Sequence, residues 1–187
     1  MSGSLDALAA DLERLFAQGI GTSLSEDAFS SMALRIFAHQ FEACSVYRGF
    51  CQSRRAVPGA VERWQDIPAV PTRGFKHVQL LSGPRSEAVF RTSGTTGGAG
   101  ATGAHYVPRL SLYRASLLPN FETHLLPEGE RMPMLSLIPS SRAAPESSLS
   151  AMIGVVADEL VTEAHWLAED PAGVDVAGFT RAAADLV

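Results

Sequence analysis

Apolar residues recur at helical spacing from the start of the chain. Leu5, Leu8, Leu12, Leu15 and Phe16 share one face and predict a short amphipathic helix over residues 4–18, stopped by Gly19 and Gly21. A second stripe, Phe29, Met32, Ile36, Phe37, Phe41, Cys44 and Tyr47, predicts a helix running to about residue 52. Ser23 followed by Glu26 has capping-box spacing and marks its start. Such a stripe serves packing before ligand binding, so residues 1–56 read as a helical scaffold.

The texture changes over residues 57–84. Pro58, Pro68, Pro71 and Pro84 interrupt regular structure, while Trp64, Ile67, Val70 and Phe75 supply apolar anchors. The segment reads as a linker with buried contacts. Residues 87–92 then predict a strand, and residues 104–108 read as extended on the far side of a glycine-rich stretch. Residues 110–118 predict a helix and residues 133–139 a short buried strand. Within residues 147–167, Leu149, Met152, Ile153, Val156 and Leu160 recur at helical spacing, with Ser147 and Ser148 as an N-cap pair. Residues 177–186 predict a last helix. The helical start followed by alternating strands and helices over residues 57–187 gives an α/β class.

Composition narrows the partners. The 187 residues carry a net charge of −5 and no basic cluster, which argues against nucleic acid. Hydrophobic residues make up 46%, enough for a sizeable core. No run approaches the roughly 18 apolar residues of a membrane span, and the N-terminus lacks the basic and apolar regions of a signal peptide. Cys44 and Cys51 fall in the same predicted helix, about 10 Å apart along its axis, too far for a disulfide. They read as core thiols of a reduced, cytoplasmic protein. The five histidines lack H-x-x-x-H or Cys/His spacing, so no metal site is expected. There is no G-x-S-x-G, so a serine hydrolase is not supported.

Candidate chemistry concentrates in residues 92–103, Thr-Ser-Gly-Thr-Thr-Gly-Gly-Ala-Gly-Ala-Thr-Gly. Glycines let a backbone approach an anion, consecutive N–H groups form an anion-binding nest, and the hydroxyls add donors. The same composition also suits a surface loop. A Walker loop fails, because Ala104-His105 follows Gly103 where Lys-Ser/Thr is required. Gly98–Gly103 spells G-x-G-x-x-G, with Glu122 about 20 residues on, but that fingerprint must open a helix. Here an extended segment ending in Pro108 follows.

Ser93-Gly94-Thr95-Thr96-Gly97 after a strand resembles the phosphate loop of the adenylate-forming superfamily. Trp64-Gln-Asp-Ile-Pro-Ala-Val-Pro and Phe75-Lys76 resemble the segment before that loop in LuxE-type acyl-protein synthetases. His105-Tyr106 and Tyr113 match the family's histidine and tyrosines beyond it. Leu137-Ile-Pro-Ser140 with Glu146-Ser-Ser-Leu-Ser-Ala-Met152 looks like the next block, so the resemblance covers residues 30–165 or so.

The resemblance implies the N-terminal part of an adenylate-forming enzyme fold. It also implies ATP-dependent activation of a carboxylic, fatty acid: the carboxylate attacks the α-phosphate, pyrophosphate leaves, and the acyl group passes to a protein thiol and on to a fatty-acid reductase partner. Thr92, Ser93, Gly94, Thr95, Thr96 and Gly97 would hold the ATP phosphates, and Mg2+ would arrive with ATP. His105 would reach the phosphate or the acyl carboxylate, against a reading as a packed or solvated histidine. Lys76 would approach the nucleotide, against a reading as a surface charge.

Two departures stand out. Adenylating enzymes commonly place a lysine just after the loop, and this chain has no Lys or Arg there before Arg109. LuxE-type proteins also continue well beyond this length, so residues 1–187 read as an incomplete portion. The adenine contacts, a mobile C-terminal domain and the acyl-accepting cysteine are then expected on a missing C-terminal half. An aryl- or acyl-CoA ligase-like fragment and a non-catalytic remnant or interaction module are the alternatives.

Overall fold

The computed structural model describes residues 2–92, 102–169 and 173–185. The chain divides into two compact units, Met1–Leu112 and Tyr113–Val187. Each has its own small two-stranded sheet. The class is mixed α/β with a helical start, as the patterning predicts.

In the first unit, helix α1 (Ser2–Phe16) buries Leu8 and Ala9. It gives way to Gly19, whose φ of +77° only glycine adopts without strain. Asp11 receives Arg14 from its own helix and Arg35 from the next, and the hydrogen bond from Arg35 holds its carboxyl below the ordinary range.

Helix α2 (Glu26–Ala43) is capped by Ser25, whose hydroxyl accepts from the Ala28 N–H at 3.2 Å; the cap expected at Ser23 is therefore two residues late. The stripe predicted as a single helix is two. Cys44 takes an extended conformation (φ −112°, ψ 102°), closes α2 through its N–H to Gln40, and opens α3 (Ser45–Ser53) by accepting from the Arg48 N–H. The Arg48 guanidinium turns back onto the carbonyls of Phe41 and Glu42, supplying donors that the end of α2 lacks.

The break folds the stripe onto itself. Phe37, Cys44, Tyr47 and Cys51 form the buried core, with Phe41, Ile67, Val70 and Leu80 packed against it. Phe37 meets Phe41 and Tyr47 edge-on, with ring centroids 6.1 and 6.2 Å apart. Both cysteines are free thiols and buried.

The segment after α3 has two short 3-10 turns, Trp64–Asp66 and Thr72–Lys76. Side chains from the helices hold it. The Tyr47 hydroxyl donates to the Pro68 carbonyl at 2.9 Å, and His39 Nε2 bonds the Ser82 carbonyl at 3.0 Å. Trp64 meets Phe29 edge-on and donates its indole N–H to Glu26 at 2.7 Å. Burial raises the Tyr47 hydroxyl pKa, and the neighbouring Cys51 raises it further.

Strands β1 (Ala88–Arg91) and β2 (Ala104–Val107) pair antiparallel in the register Ala88–Val107 to Arg91–Ala104. Arg109 pairs with Asp6 and Glu87, and the Leu110 N–H at the start of helix α4 (Leu110–Leu125) donates to Glu87. Helix α4 runs through Pro119 and past the predicted end at residue 118.

The second unit is a β–α–β arrangement. Strand β3 (Met132–Ser136) pairs parallel with β4 (Val161–Trp166), and helix α5 (Ser148–Leu160) connects them. Ser147 caps α5 by accepting from the Ser150 N–H at 3.1 Å, as its position predicts. The helical reading of residues 147–167 overruns: α5 ends at Leu160, and Val161-Thr162 begins β4. Helix α6 (Val176–Asp185) follows, with the Asp175 carboxylate accepting from the Gly178 N–H at 2.8 Å. The Tyr113 hydroxyl donates to the Ser148 carbonyl at 2.9 Å, and burial raises its pKa. No helix among the described residues is long and apolar enough to cross a membrane.

Two stability predictions follow from these contacts. Phe37 is 2% exposed at the centre of the core, so Phe37→Ala should cost about 3–5 kcal/mol in denaturant-induced unfolding. Glu169 accepts from the Ser140 N–H at 2.7 Å and its hydroxyl at 2.9 Å, with Arg142 at 3.5 Å, and the backbone bond leads in holding its carboxyl below the ordinary 4.5. A lowered native pKa contributes stability above 4.5 that is lost as pH falls through the lowered value. Unfolding of Glu169→Gln, followed from neutral to acid pH, should show a flatter acid limb than the parent.

Candidate functional site

The glycine-rich stretch joins two antiparallel strands. Its ends are pinned together: the Thr92 N–H donates to the Gly103 carbonyl at 2.9 Å, and the Gly103 N–H donates back to the Thr92 hydroxyl at 2.9 Å. This closes the hairpin one step beyond the Arg91–Ala104 pair. Gly103 is buried, and a Cβ there would sit 3.4 Å from the Thr92 methyl group. The predicted phosphate contacts Ser93, Gly94, Thr95, Thr96 and Gly97 lie outside the described residues, whereas Thr92 lies at their base.

A strand follows Gly103, not a helix. A dinucleotide fingerprint needs its pyrophosphate at a helix N-terminus directly after the glycines. The hairpin removes that possibility for Gly98–Gly103.

Two side chains from the 3-10 turn Thr72–Lys76 meet the hairpin base. Phe75 stacks on His105, with ring centroids 4.4 Å apart and planes 24° from parallel. The Lys76 stem runs along the same end of the hairpin, its Cγ 3.6 Å from where a Gly103 Cβ would sit. Lys76 and His105 are both exposed, so a histidine and a lysine stem border the end of the hairpin at Thr92 and Gly103. Arg109, the first cation after the loop in sequence, is occupied by Asp6 and Glu87.

In the sequence, Phe75-Lys76 and His105 belong to separate segments on either side of the loop, and nothing there signals that they meet. Nor does it signal the reciprocal Thr92–Gly103 bonds. Tyr113, grouped with His105 by the resemblance, belongs to the second unit, where its hydroxyl is spent on Ser148. Ser147 and Ser148 have structural roles at the start of α5.

Beside the hairpin lies a cavity of about 470 Å³ that Phe75 and Tyr106 help to line, together with Cys44 and Tyr47 from the helices. Among the described residues, no three His, Cys, Asp or Glu side chains are grouped closely enough to hold a metal.

The sequence profile of the acyl-protein synthetase family LuxE matches residues 15–116, more than half the chain and the whole of this site. The chain belongs to the LuxE family. It is similar to a long-chain-fatty-acid–luciferin-component ligase of Photorhabdus luminescens, at 35% identity over 68 residues. The matched stretch is 35% of this chain and 58% of that ligase, so it spans less than two thirds of the relative's length. No solved structure matches the chain. The LuxE match ends just inside α4, so it covers the helical core, the 3-10 turns and the hairpin.

Removing the Thr92 hydroxyl tests the hairpin closure. Thr92→Val leaves the buried Gly103 N–H without its acceptor, which typically costs about 1–3 kcal/mol. Faster amide hydrogen exchange at Gly103 and a lower unfolding midpoint are expected.

Proposed function

We propose that this chain carries the phosphate loop and adjoining scaffold of an ATP-dependent acyl-protein synthetase built on the adenylate-forming fold. In this reading it activates a carboxylic acid, a fatty acid by the name of its relative. The carrying observation is the hairpin: Ser93-Gly94-Thr95-Thr96-Gly97 joins two paired strands, with Lys76 and His105 at its base, in a chain of the LuxE family.

The residues present suit a polyphosphate. The Thr92 hydroxyl and the hydroxyls and backbone N–H groups of residues 93–97 would supply donors of the kind phosphate oxygens accept, and glycine permits close approach. Lys76 supplies, from upstream in sequence, the positive charge that the tail of the loop lacks. Mg2+ would come with ATP and would offset part of the phosphate charge.

His105, held by Phe75, would orient the acid carboxylate. A carboxylate oxygen bonds to the α-phosphorus as the bond to pyrophosphate breaks. A thiolate then takes the acyl group and AMP leaves. The thiol and a fatty-acid reductase that receives the acyl group would lie beyond these residues, because Cys44 and Cys51 are buried in the helical core. The reduced thiols fit a cytoplasmic setting.

The loop's role is tested by ATP titration of the 187-residue chain and its Ser93→Ala/Thr95→Ala variant. A hydrogen bond to a charged group contributes about 1.5–3 kcal/mol, so the variant should bind ATP at least tenfold more weakly. Equal affinities would remove the loop from the site. Turnover is tested separately, by acid-dependent exchange of pyrophosphate into ATP, and the absence of exchange with any fatty or aryl acid in the full-length protein would count against acid activation.

A further inference from the structure

The cavity beside the hairpin has a character of its own. Its volume, about 470 Å³, lies within the range of small-molecule sites and far above the gaps of a packed core. Ile67, Val70, Leu80 and the rings of Tyr47, Phe75 and Tyr106 make most of its wall. No carboxylate, ammonium, guanidinium or imidazole lines it. The Tyr47 hydroxyl is already committed to the Pro68 carbonyl, and the Ser82 carbonyl to His39. The Gln40 amide and the Ser82 and Tyr106 hydroxyls also line it, but none carries a charge, so a phosphate would find no counter-charge here, whereas the rings and branched side chains suit a hydrocarbon.

One end of the cavity reaches the loop. Phe75 lines it and also stacks on His105, and Tyr106 is the next residue along β2. A single aromatic ring thus separates the apolar space from the imidazole, with Lys76 adjoining. A second apolar cavity of about 280 Å³ shares Tyr47, Val70 and Leu80 as its wall.

We infer that this cavity seats the hydrocarbon chain of the carboxylic acid, with the carboxylate emerging beside Phe75 toward His105 and Lys76. The inference rests on the acid-activating reading above and adds where the acid lies. It gives a purpose to the proline-broken segment, whose apolar anchors Ile67, Val70 and Phe75 form a wall instead of only filling a core. It also makes Cys44 a reporter: its thiol borders the cavity and it is 4% exposed, whereas Cys51 is fully buried.

The experiment titrates the 187-residue chain with saturated fatty acids from six to fourteen carbons, kept below micelle formation, and with the matching alcohols. Affinity should rise about three- to fourfold per added methylene, and each acid should bind more tightly than its alcohol. Bound acid should slow alkylation of Cys44 by N-ethylmaleimide. Ala69→Phe places a ring at the cavity wall and should weaken the longer acids at least tenfold. Acid affinity independent of chain length, or Cys44 alkylation unaffected by saturating acid, overturns the assignment even where Ala69→Phe fails to fold. ATP titration of the same unmodified preparation separates the two readings. ATP binding without acid binding sinks the cavity alone, and acid binding without ATP binding sinks the phosphate loop alone.

Discussion

The Tyr47 hydroxyl, donating to the Pro68 carbonyl from inside the helical core, is the contact on which the first unit turns. Residues 57–84 contain neither an α-helix nor a strand, so no ladder holds them. Their position depends on side chains reaching out from α2 and α3, with Tyr47 the most buried of those that hydrogen-bond the segment. Fixing Pro68 places Ile67 and Val70 against Phe37 and Cys51, and the chain then runs on into the 3-10 turn that delivers Phe75 and Lys76 to the hairpin. A tyrosine suits this duty because its ring packs while its hydroxyl satisfies a carbonyl that would otherwise be stranded away from water.

That dependence explains what could be read from the sequence. The two strands flanking the loop were legible, since a β-rich run ends at Thr92, glycines follow, and the run ending in Pro108 reads extended; their antiparallel pairing was not. The family resemblance drawn from the loop and its flanks agrees with the LuxE match. The helix break at Cys44 was not legible, because no glycine or proline marks it. It is made by Arg48 folding back onto carbonyls six and seven residues away, a tertiary act that propensity does not encode. Strand β4 was hidden because Leu149 to Leu160 set a helical period strong enough to run past its end; the β-branched pair Val161-Thr162 was the signal that it had stopped.

The site divides in the same way. Its loop is a local motif, readable as letters in order. Its base is assembled across 30 residues of chain, from Phe75 to His105, and no periodicity links those positions. Lys76 illustrates the difference. Read along the chain, the loop lacks a following cation; read in space, the stem of a lysine lies beside Gly103, carried there by a segment upstream.

The reciprocal bonds between Thr92 and Gly103 carry a consequence for how this loop can change over evolutionary time. They tie the two ends of the connection together at Thr92 and Gly103, so lengthening it carries a closure-entropy cost that grows only slowly. Doubling such a connection costs about 0.6 kcal/mol. A phosphate loop that opens a helix has no such latitude, since each inserted residue would turn or displace the helix end that completes it. In the hairpin, the anchoring of the loop's two ends is instead the work of the sheet and of the Thr92–Gly103 pair, so an insertion between them leaves the strand register in place.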